Sequence, residues 1–252
     1  MEKVAFITGA SSGIGLETAK KLGINGFNII ALARRKDRLK ELENLLSKYT
    51  NVYTICCDVR NFNQLKLEIE KIPENLQKID VLINNAGLAL DFKTIDEYDV
   101  EDWNIMIDTN IKGVLYITHL LLPYLKKGNL KQIINIGSIA AKETYLKGNV
   151  YCATKSAIDS LSKAMRIDLL KHEIKVTCVH PGLTETEFAY VRFKNNKEKA
   201  QKVYQNFTPL KPQDIAEIIF FIINLPKHVC INDILVMPTQ QASAYYNIKN
   251  VE

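Results

Sequence analysis

The sequence predicts one doubly wound α/β domain, a parallel sheet of about seven strands with helices on both faces. Three observations predict it. Short apolar runs alternate with longer helical patterns along all 252 residues, with no linker, repeat or shift of composition. The apolar runs are continuous rather than alternating, the pattern of strands buried on both faces. A glycine-rich turn joins the first apolar run to the first helix. A single domain over 1–252 is therefore expected, and 47% hydrophobic with 24% charged residues is ordinary for a soluble globular protein.

Val4–Ile7 reads as a buried strand and Leu16–Leu22 as the helix after it. Between them, Thr8-Gly9-Ala10-Ser11-Ser12-Gly13-Ile14-Gly15 allows a tight turn. Gly9, Gly13 and Gly15 let the backbone around Ser11, Ser12 and Ile14, and the helix N-terminus, approach a pyrophosphate. The glycine spacing is not the usual G-x-G-x-x-G, so the strand–turn–helix setting carries the dinucleotide reading. A second strand, Phe27–Ala33, ends in Arg34-Arg35. NAD-binding folds carry an acid near this point for the ribose 2′-hydroxyl. Here two guanidinium groups stand instead, which suit a 2′-phosphate and favour NADP over NAD. Arg35 could equally belong to the basic first turn of a helix over Lys36–Tyr49.

Val52–Cys56 is a third strand, after which Asp58, beside Val59, could bond an adenine amino group. A helix over Phe62–Lys71 and a loop at Pro73 and Glu74 precede a fourth strand, Asp80–Ile83. It runs into Asn84-Asn85-Ala86-Gly87, whose small residues Ala86 and Gly87 suit a backbone lying against a ligand. The amides of Asn84 and Asn85 could equally tie strand ends together. Asp91–Val100 reads as irregular and Trp103–Lys127 as one long helix. Asn110, with Gly113 nearby, marks either a solvent-facing position or a local distortion. Gln132–Ile136 is the fifth strand, ending in Gly137-Ser138. The loop Ala140–Gly148 leads to a helix running to about His172. A sixth strand, Ile174–Val179, closes with His180-Pro181-Gly182, where His180 reads as a structural cap. Thr184–Gln205 is polar and predicts a mobile helical flap, within a substrate-binding segment over 184–211. Pro212–Ile223 is a further helix and Ile234–Met237 the last strand.

The net charge of +5 is mild and scattered. Its two clusters, Arg34-Arg35-Lys36 and Lys194–Lys202, do not form a nucleic-acid stripe and point at most to an anionic small ligand. Cys56, Cys57, Cys152, Cys178 and Cys230 show no metal-ligand spacing, so no metal is expected. Their odd number and apolar settings suit a reducing compartment. Val4–Ile7 runs straight into the glycine turn with no basic-then-apolar leader, and no apolar run approaches the roughly 20 residues that span a bilayer. Cytoplasmic residence without a membrane is expected.

Tyr151 and Lys155 stand four residues apart in the helix after the fifth strand. On one helical face their Cβ atoms lie about 5–6 Å apart. An ammonium at about 5 Å, with an effective dielectric near 20, stabilises a phenolate by about 3 kcal/mol, or roughly two pKa units. That predicts a Tyr151 phenol titrating near 8, suited to proton transfer. Taken alone, the pair is more often a surface Tyr and Lys.

Together these stretches resemble the short-chain dehydrogenase/reductase superfamily over almost the whole chain. Thr8–Gly15 matches its cofactor turn, Asn84–Gly87 its Asn-Asn-Ala-Gly element, and Pro181-Gly182 with Thr184 and Thr186 its post-strand cofactor contact. Asn110, Ser138, Tyr151 and Lys155 fall in the order and spacing of its catalytic tetrad. Within it, Gly148–Tyr151, Pro181–Phe188, Val191–Lys194 and Met237–Gln240 look like the NADP-dependent 3-hydroxy acid dehydrogenases of L-allo-threonine or serine type.

The resemblance implies a Rossmann-like fold, an NADP cofactor and a homotetramer. It implies that Tyr151 is the general acid/base, that Ser138 bonds the substrate oxygen, and that Lys155 holds the nicotinamide ribose. Asn110 would support a water leading from Lys155 to solvent. Tyr145 belongs to the loop shaping the substrate pocket, and Arg192 is a candidate for the substrate carboxylate. Arg192 could equally be a surface residue paired with Glu187 or Glu198. Two other readings stay open: an NADPH-dependent carbonyl or 3-oxoacyl reductase of the same superfamily, and a non-catalytic cofactor-sensing protein.

Overall fold

The computed structural model describes residues 2–249, so four residues of the expected 1–252 domain lie outside that range. The chain opens with β1 (Lys3–Thr8), α1 (Gly13–Ile24), β2 (Phe27–Ala33), α2 (Lys36–Leu46), β3 (Val52–Cys56), α3 (Phe62–Glu70) and β4 (Val81–Asn84). It continues through α4 (Val100–Ile107), α5 (Gly113–Leu125), β5 (Gln132–Ile136), α6 (Asn149–Asp168) and β6 (Lys175–Pro181). Two short helices, α7 (Phe188–Arg192) and α8 (Lys197–Lys202), then α9 (Pro212–Ile223) and β7 (Asp233–Val236) complete it. The strands form one seven-stranded sheet in the order β3-β2-β1-β4-β5-β6-β7, every pair parallel. The chain starts in the middle, winds outward to β3, then returns to the other side of β1. That reversal opens a crevice between the carboxyl ends of β1 and β4, where doubly wound sheets bind ligands.

Alternation along the strands builds the two layers of the core. In β1, Ala5 and Ile7 join the apolar layer shared with Leu22, Leu42 and Ile219 under α1, α2 and α9. Val4 and Phe6 join the opposite layer, with Leu65, Ile117 and Leu121 under α3 and α5. Successive strand side chains point to opposite faces, so continuous apolar runs are what a sheet covered on both sides requires. At the far end of the sheet from the crevice, the Asp80 carboxylate is fully buried. It accepts backbone N–H bonds from Val4 (2.9 Å), Asn129 (2.7 Å) and Leu130 (3.0 Å).

The structure departs from the sequence reading at several boundaries. The helix expected over Trp103–Lys127 is helical from Val100 to Leu125, interrupted by a π turn over Asp108–Lys112. There the Gly113 N–H reaches back five residues to the Asp108 carbonyl. This 26-residue run is apolar and long enough to cross a bilayer by composition alone, contrary to the expectation that no such run exists. Its apolar side is instead core, with Ile117, Leu121 and Leu125 fully buried. The helix expected to reach His172 ends at Asp168 and tightens into a 3₁₀ turn over Leu170–His172, closed by Glu173 at φ 56°.

Candidate active site

A cavity of about 680 Å³ lies over the crevice. Every site residue expected from the sequence lines it except Gly15 and Asn110. Gly9 and Gly13 adopt φ of 67° and 53°, the left-handed region that glycine occupies without strain. A Cβ at Gly9 would lie 2.7 Å from Asn85 Nδ2 and 3.1 Å from Ala86 Cα, so the turn can pack this closely only without a side chain. Gly15 faces the Gly9 carbonyl rather than the cavity and serves close packing of α1 on the turn. Asn85 Nδ2 donates to the carbonyls of Thr8 (3.0 Å) and Gly9 (3.3 Å), and Asn84 Nδ2 to Asn135 Oδ1 (2.8 Å). Both amides tie strand ends together. Ser12 caps α1 without a side-chain hydrogen bond, leaving the first-turn N–H groups to a ligand or solvent. A pyrophosphate fits that cradle.

The rim opposite is basic. Arg34 is exposed, with a guanidinium nitrogen 4.0 Å from Asp58 Oδ2. Arg35 is not simply a first-turn residue of α2. Its guanidinium lies 3.3 Å from Ser11 Oγ and pairs with Glu187 at 2.8 Å. Both arginines line the cavity beside the turn, where a ribose 2′-phosphate would reach them. The Asp58 carboxylate is already gripped by Arg60, at 3.0 Å to Oδ1 and 2.7 Å to Oδ2. Burial raises the Asp58 pKa, but the Arg60 hydrogen bonds outweigh it and hold the carboxyl below its usual range. Sequence reasoning passed over Arg60 and the Glu187–Arg35 pair. The two-residue spacing of Asp58 and Arg60 was the available signal for the first. Nothing local announces the second, which joins residues far apart in the chain. On the far wall, Thr184 Oγ1 bonds the Gly182 carbonyl at 3.1 Å. Thr186 Cγ2 lies 3.2 Å from where a Gly13 Cβ would be.

The catalytic candidates converge where β4, β5 and α6 meet. Asn110 sits in the π turn and is buried, not solvent-facing. Its Nδ2 donates to the Leu88 carbonyl (2.8 Å) and Thr154 Oγ1 (3.0 Å), and its Oδ1 accepts from the Leu88 N–H (2.9 Å). It thus clamps the segment after Gly87 to α6 from behind the cavity wall. Ser138 stands beside the Tyr151 phenol and pulls its pKa down, and its Oγ accepts from the Ala140 N–H at 3.1 Å.

The expected acidified phenol is not what this structure holds. Lys155 Nζ donates to the Ile136 carbonyl at 2.8 Å and lies 3.5 Å from where a Gly87 Cβ would be. Tyr151 is 7% exposed, and burial drives its phenol well above the ordinary value. The neighbouring Tyr145 adds to the rise, while Ser138 and Arg192 only partly offset it. Burial also lowers the Lys155 pKa to about 8. Helical spacing fixed the shared face but not the direction of the ammonium, and desolvation outweighs a Coulomb term computed for a half-solvated pair.

Arg192 does not pair with Glu187 or Glu198; among the described residues no carboxylate lies within ion-pair distance of it. Its Cζ lies 4.8, 5.5 and 5.6 Å from the ring centroids of Phe92, Tyr151 and Tyr145. Its guanidinium donates to the Tyr145 hydroxyl at 3.1 Å and to the Asp91 carbonyl at 3.3 Å. A cation held among rings with Nε and Nη2 engaged keeps Nη1 for a ligand. Phe92 and Phe188 line the same pocket; Phe92 went unremarked in the sequence, since an aromatic residue in an irregular segment carries no periodicity. The fold also gathers Asp159, Cys178 and His180, with ligand atoms all within 4.8 Å, a cluster that cysteine spacing could not announce. The Lys142 ammonium, 3.0 Å from Asp159, already supplies the cation there.

The model of the short chain dehydrogenase family matches residues 3–197, and the chain belongs to that family. It is an oxidoreductase acting on a hydroxyl group. At the level of individual proteins, it is 43% identical over 242 residues to the NADP-dependent 3-hydroxy acid dehydrogenase YdfG of Salmonella typhimurium, covering 96% of this chain and 97% of that one. It is 40% identical over 243 residues to sulfoacetaldehyde reductase 2 of Chromohalobacter salexigens, covering 96% of each. The closed form of serine dehydrogenase complexed with NADP+ superposes with a TM-score of 0.91 at 39% identity, covering 98% of this chain and all of that one.

Proposed function

We propose that the protein is an NADP-dependent dehydrogenase of small 3-hydroxy acids such as serine, L-allo-threonine or 3-hydroxyisobutyrate. The observation that carries the substrate class is Arg192: a guanidinium with no carboxylate partner among the described residues, in the pocket, 5.5 Å from the Tyr151 ring. A planar cation at that distance from the acid/base residue suits a substrate whose anion lies one carbon from its reacting carbon. The substrates named by the two relatives, a 3-hydroxy acid and sulfoacetaldehyde, share that arrangement. The second favours a wider reading in which a sulfonate replaces the carboxylate.

Bound NADP(H) supplies or accepts the hydride. The paired guanidinium groups of Arg34 and Arg35 would hold its 2′-phosphate. Asp58, Val59, Asn85, Ala86 and Gly87 would line the adenosine and ribose, and Pro181, Gly182, Thr184 and Thr186 the nicotinamide. Tyr151 exchanges the proton on the substrate oxygen, and Ser138 donates a hydrogen bond to that oxygen as charge develops on it. A raised phenol pKa keeps Tyr151 protonated, the state that serves carbonyl reduction. Lys155 remains largely an ammonium at neutral pH and would hold the ribose hydroxyls. Asn110 would support a water between Lys155 and solvent.

The segment 184–211, carrying α7 and α8, acts as the substrate flap. A homotetramer and cytoplasmic residence belong to the same reading, the latter supported by five free cysteines suited to a reducing compartment. Steady-state kinetics with NADP(H) on serine, L-allo-threonine, 3-hydroxyisobutyrate, sulfoacetaldehyde and an acetoacetyl thioester test the assignment. Arg192→Ala is expected to raise KM for the anionic substrates about 10–100-fold, the loss of a charge-assisted hydrogen bond, while sparing uncharged alcohols. Turnover confined to the thioester would replace this reading with the 3-oxoacyl reductase one.

A further inference from the structure

Directly beneath the Ser138 turn, around a buried histidine, lies a polar cluster that the chemistry above does not use. His180, next to the last residue of β6, is fully buried. Its Nε2 lies 3.2 Å from Asp233 Oδ2 on β7 and 3.4 Å from Asp159 Oδ1 on α6. Lys142, just past the Ser138 turn, pairs with both carboxylates at 2.9 and 3.0 Å. Lys163 pairs with the remaining Asp159 oxygen at 2.7 Å. On its other side, His180 Nδ1 lies 3.4 Å from the Ser138 nitrogen and 3.1 Å from the Ser138 carbonyl. Gly137 supplies an independent sign that the ring is fitted to this turn. A Cβ there would lie 2.7 Å from His180 Cε1, so the imidazole occupies the space a side chain at 137 would need.

Hydrogen-bond chemistry settles the roles of the two ring nitrogens. Carboxylates only accept, so Nε2 carries the hydrogen toward Asp233, and Nδ1 of the neutral ring is an acceptor. The Ser138 carbonyl already accepts from the Ala141 N–H at 2.9 Å. The neutral ring therefore accepts from the Ser138 N–H. We propose that His180 is the positioning residue for Ser138. Oriented through Nε2 by Asp233 and Asp159, it holds the Ser138 peptide through Nδ1 and so sets the Ser138 hydroxyl against the Tyr151 phenol. This inference rests on the roles given above to Ser138 and Tyr151.

Protonation would reverse the contact. Nδ1 would gain a hydrogen, donate it to the Ser138 carbonyl at 3.1 Å, and leave the Ser138 N–H without its acceptor. The charged or titratable groups around the ring are Asp233 from β7, Asp159 from α6, Lys142 from the segment after β5 and Cys178 from β6 itself, with Lys163 behind Asp159. Burial holds the His180 pKa below its ordinary value, with Asp233 opposing, which favours the neutral ring.

The test combines kinetics with an NMR titration that needs no substrate. His180→Ala is expected to lower kcat about 10–100-fold at pH 8, where the wild-type ring is neutral, with KM for NADP+ unchanged, the loss of alignment at the reacting oxygen. His180→Asn, whose amide oxygen can take the place of Nδ1, is expected to recover most of that loss at pH 8 and to lack the acid limb of the wild-type profile. In the wild-type protein the Ser138 amide resonance should titrate together with the His180 ring; in His180→Asn it should not titrate. Asp233→Asn, which keeps the ring, should move the shared midpoint downward, and it decides the matter if His180→Ala fails to fold. Wild-type kcat and pH profile in His180→Ala, a Ser138 amide that stays still while the ring titrates, or an unmoved midpoint in Asp233→Asn would each overturn the proposal. A substrate panel without turnover would sink the functional reading and leave the NMR result standing.

Discussion

At the scale of single residues, the site's chemistry depends on which way two side chains point. The spacing of Tyr151 and Lys155 correctly announced a shared face of α6, and it promised a phenol titrating near 8. The Lys155 ammonium instead bonds the Ile136 carbonyl, and burial raises the Tyr151 pKa. Sequence spacing carries Cβ positions, whereas rotamers and desolvation are set by the packed environment. Tyrosinate absorbance checks this: without cofactor, wild type and Tyr151→Phe should show the same titration below about pH 9. An extra phenol with a midpoint near 8 in the wild type would restore the original expectation. Tyr151→Phe is also expected to lose about 10²–10⁴-fold in kcat while still binding NADPH, measured by quenching of cofactor fluorescence. Near-normal turnover would remove Tyr151 from the acid/base role.

Among the elements, those fixed by local pattern were legible and those fixed by distant contacts were not. The strand–turn–helix over β1 and α1 could be read from glycine placement, because only a residue without a side chain tolerates Asn85 at 2.7 Å. Asn110 beside Gly113 left a solvent-facing position and a distortion both open, and the π turn, with Asn110 buried in it, decides for the distortion. The link between α7 and the cofactor rim was illegible, since Glu187 meets Arg35 only in the folded chain. That pair is half exposed, so it is worth at most about 1 kcal/mol, roughly fivefold in a population. Glu187→Gln should therefore raise the rate of proteolytic cleavage within 184–211 of the cofactor-free protein by no more than about fivefold, more in low salt than in high. Arg35→Ala should do the same and also raise KM for NADP+ about 10–100-fold without a matching effect on NAD+. Equal effects on both cofactors would exclude a 2′-phosphate contact.

For the whole molecule, the doubly wound parallel sheet of about seven strands followed from the alternation of strands and helices, but the polar ties that lock layers together did not. The cluster of Asp159, His180, Asp233 and Lys142 joins α6, β6, β7 and the Ser138 turn, and it makes stability fall in acid. Burial holds His180 below its ordinary pKa. Asp159 is also held low, because hydrogen bonds from Lys163 and Lys142 outweigh its burial. Both contributions are complete above the unfolded-state values. The His180 contribution is lost as pH falls below about 6.5 and the Asp159 contribution below about 4. Melting temperature should drop in two stages on acidification, and His180→Asn should erase the first. A single drop below pH 4 in the wild type would contradict the His180 part. The buried carboxylate of Asp80 also reaches across the sheet. One oxygen takes the Val4 N–H and the other those of Asn129 and Leu130, so a single side chain fastens the central strand to the turn ahead of β5.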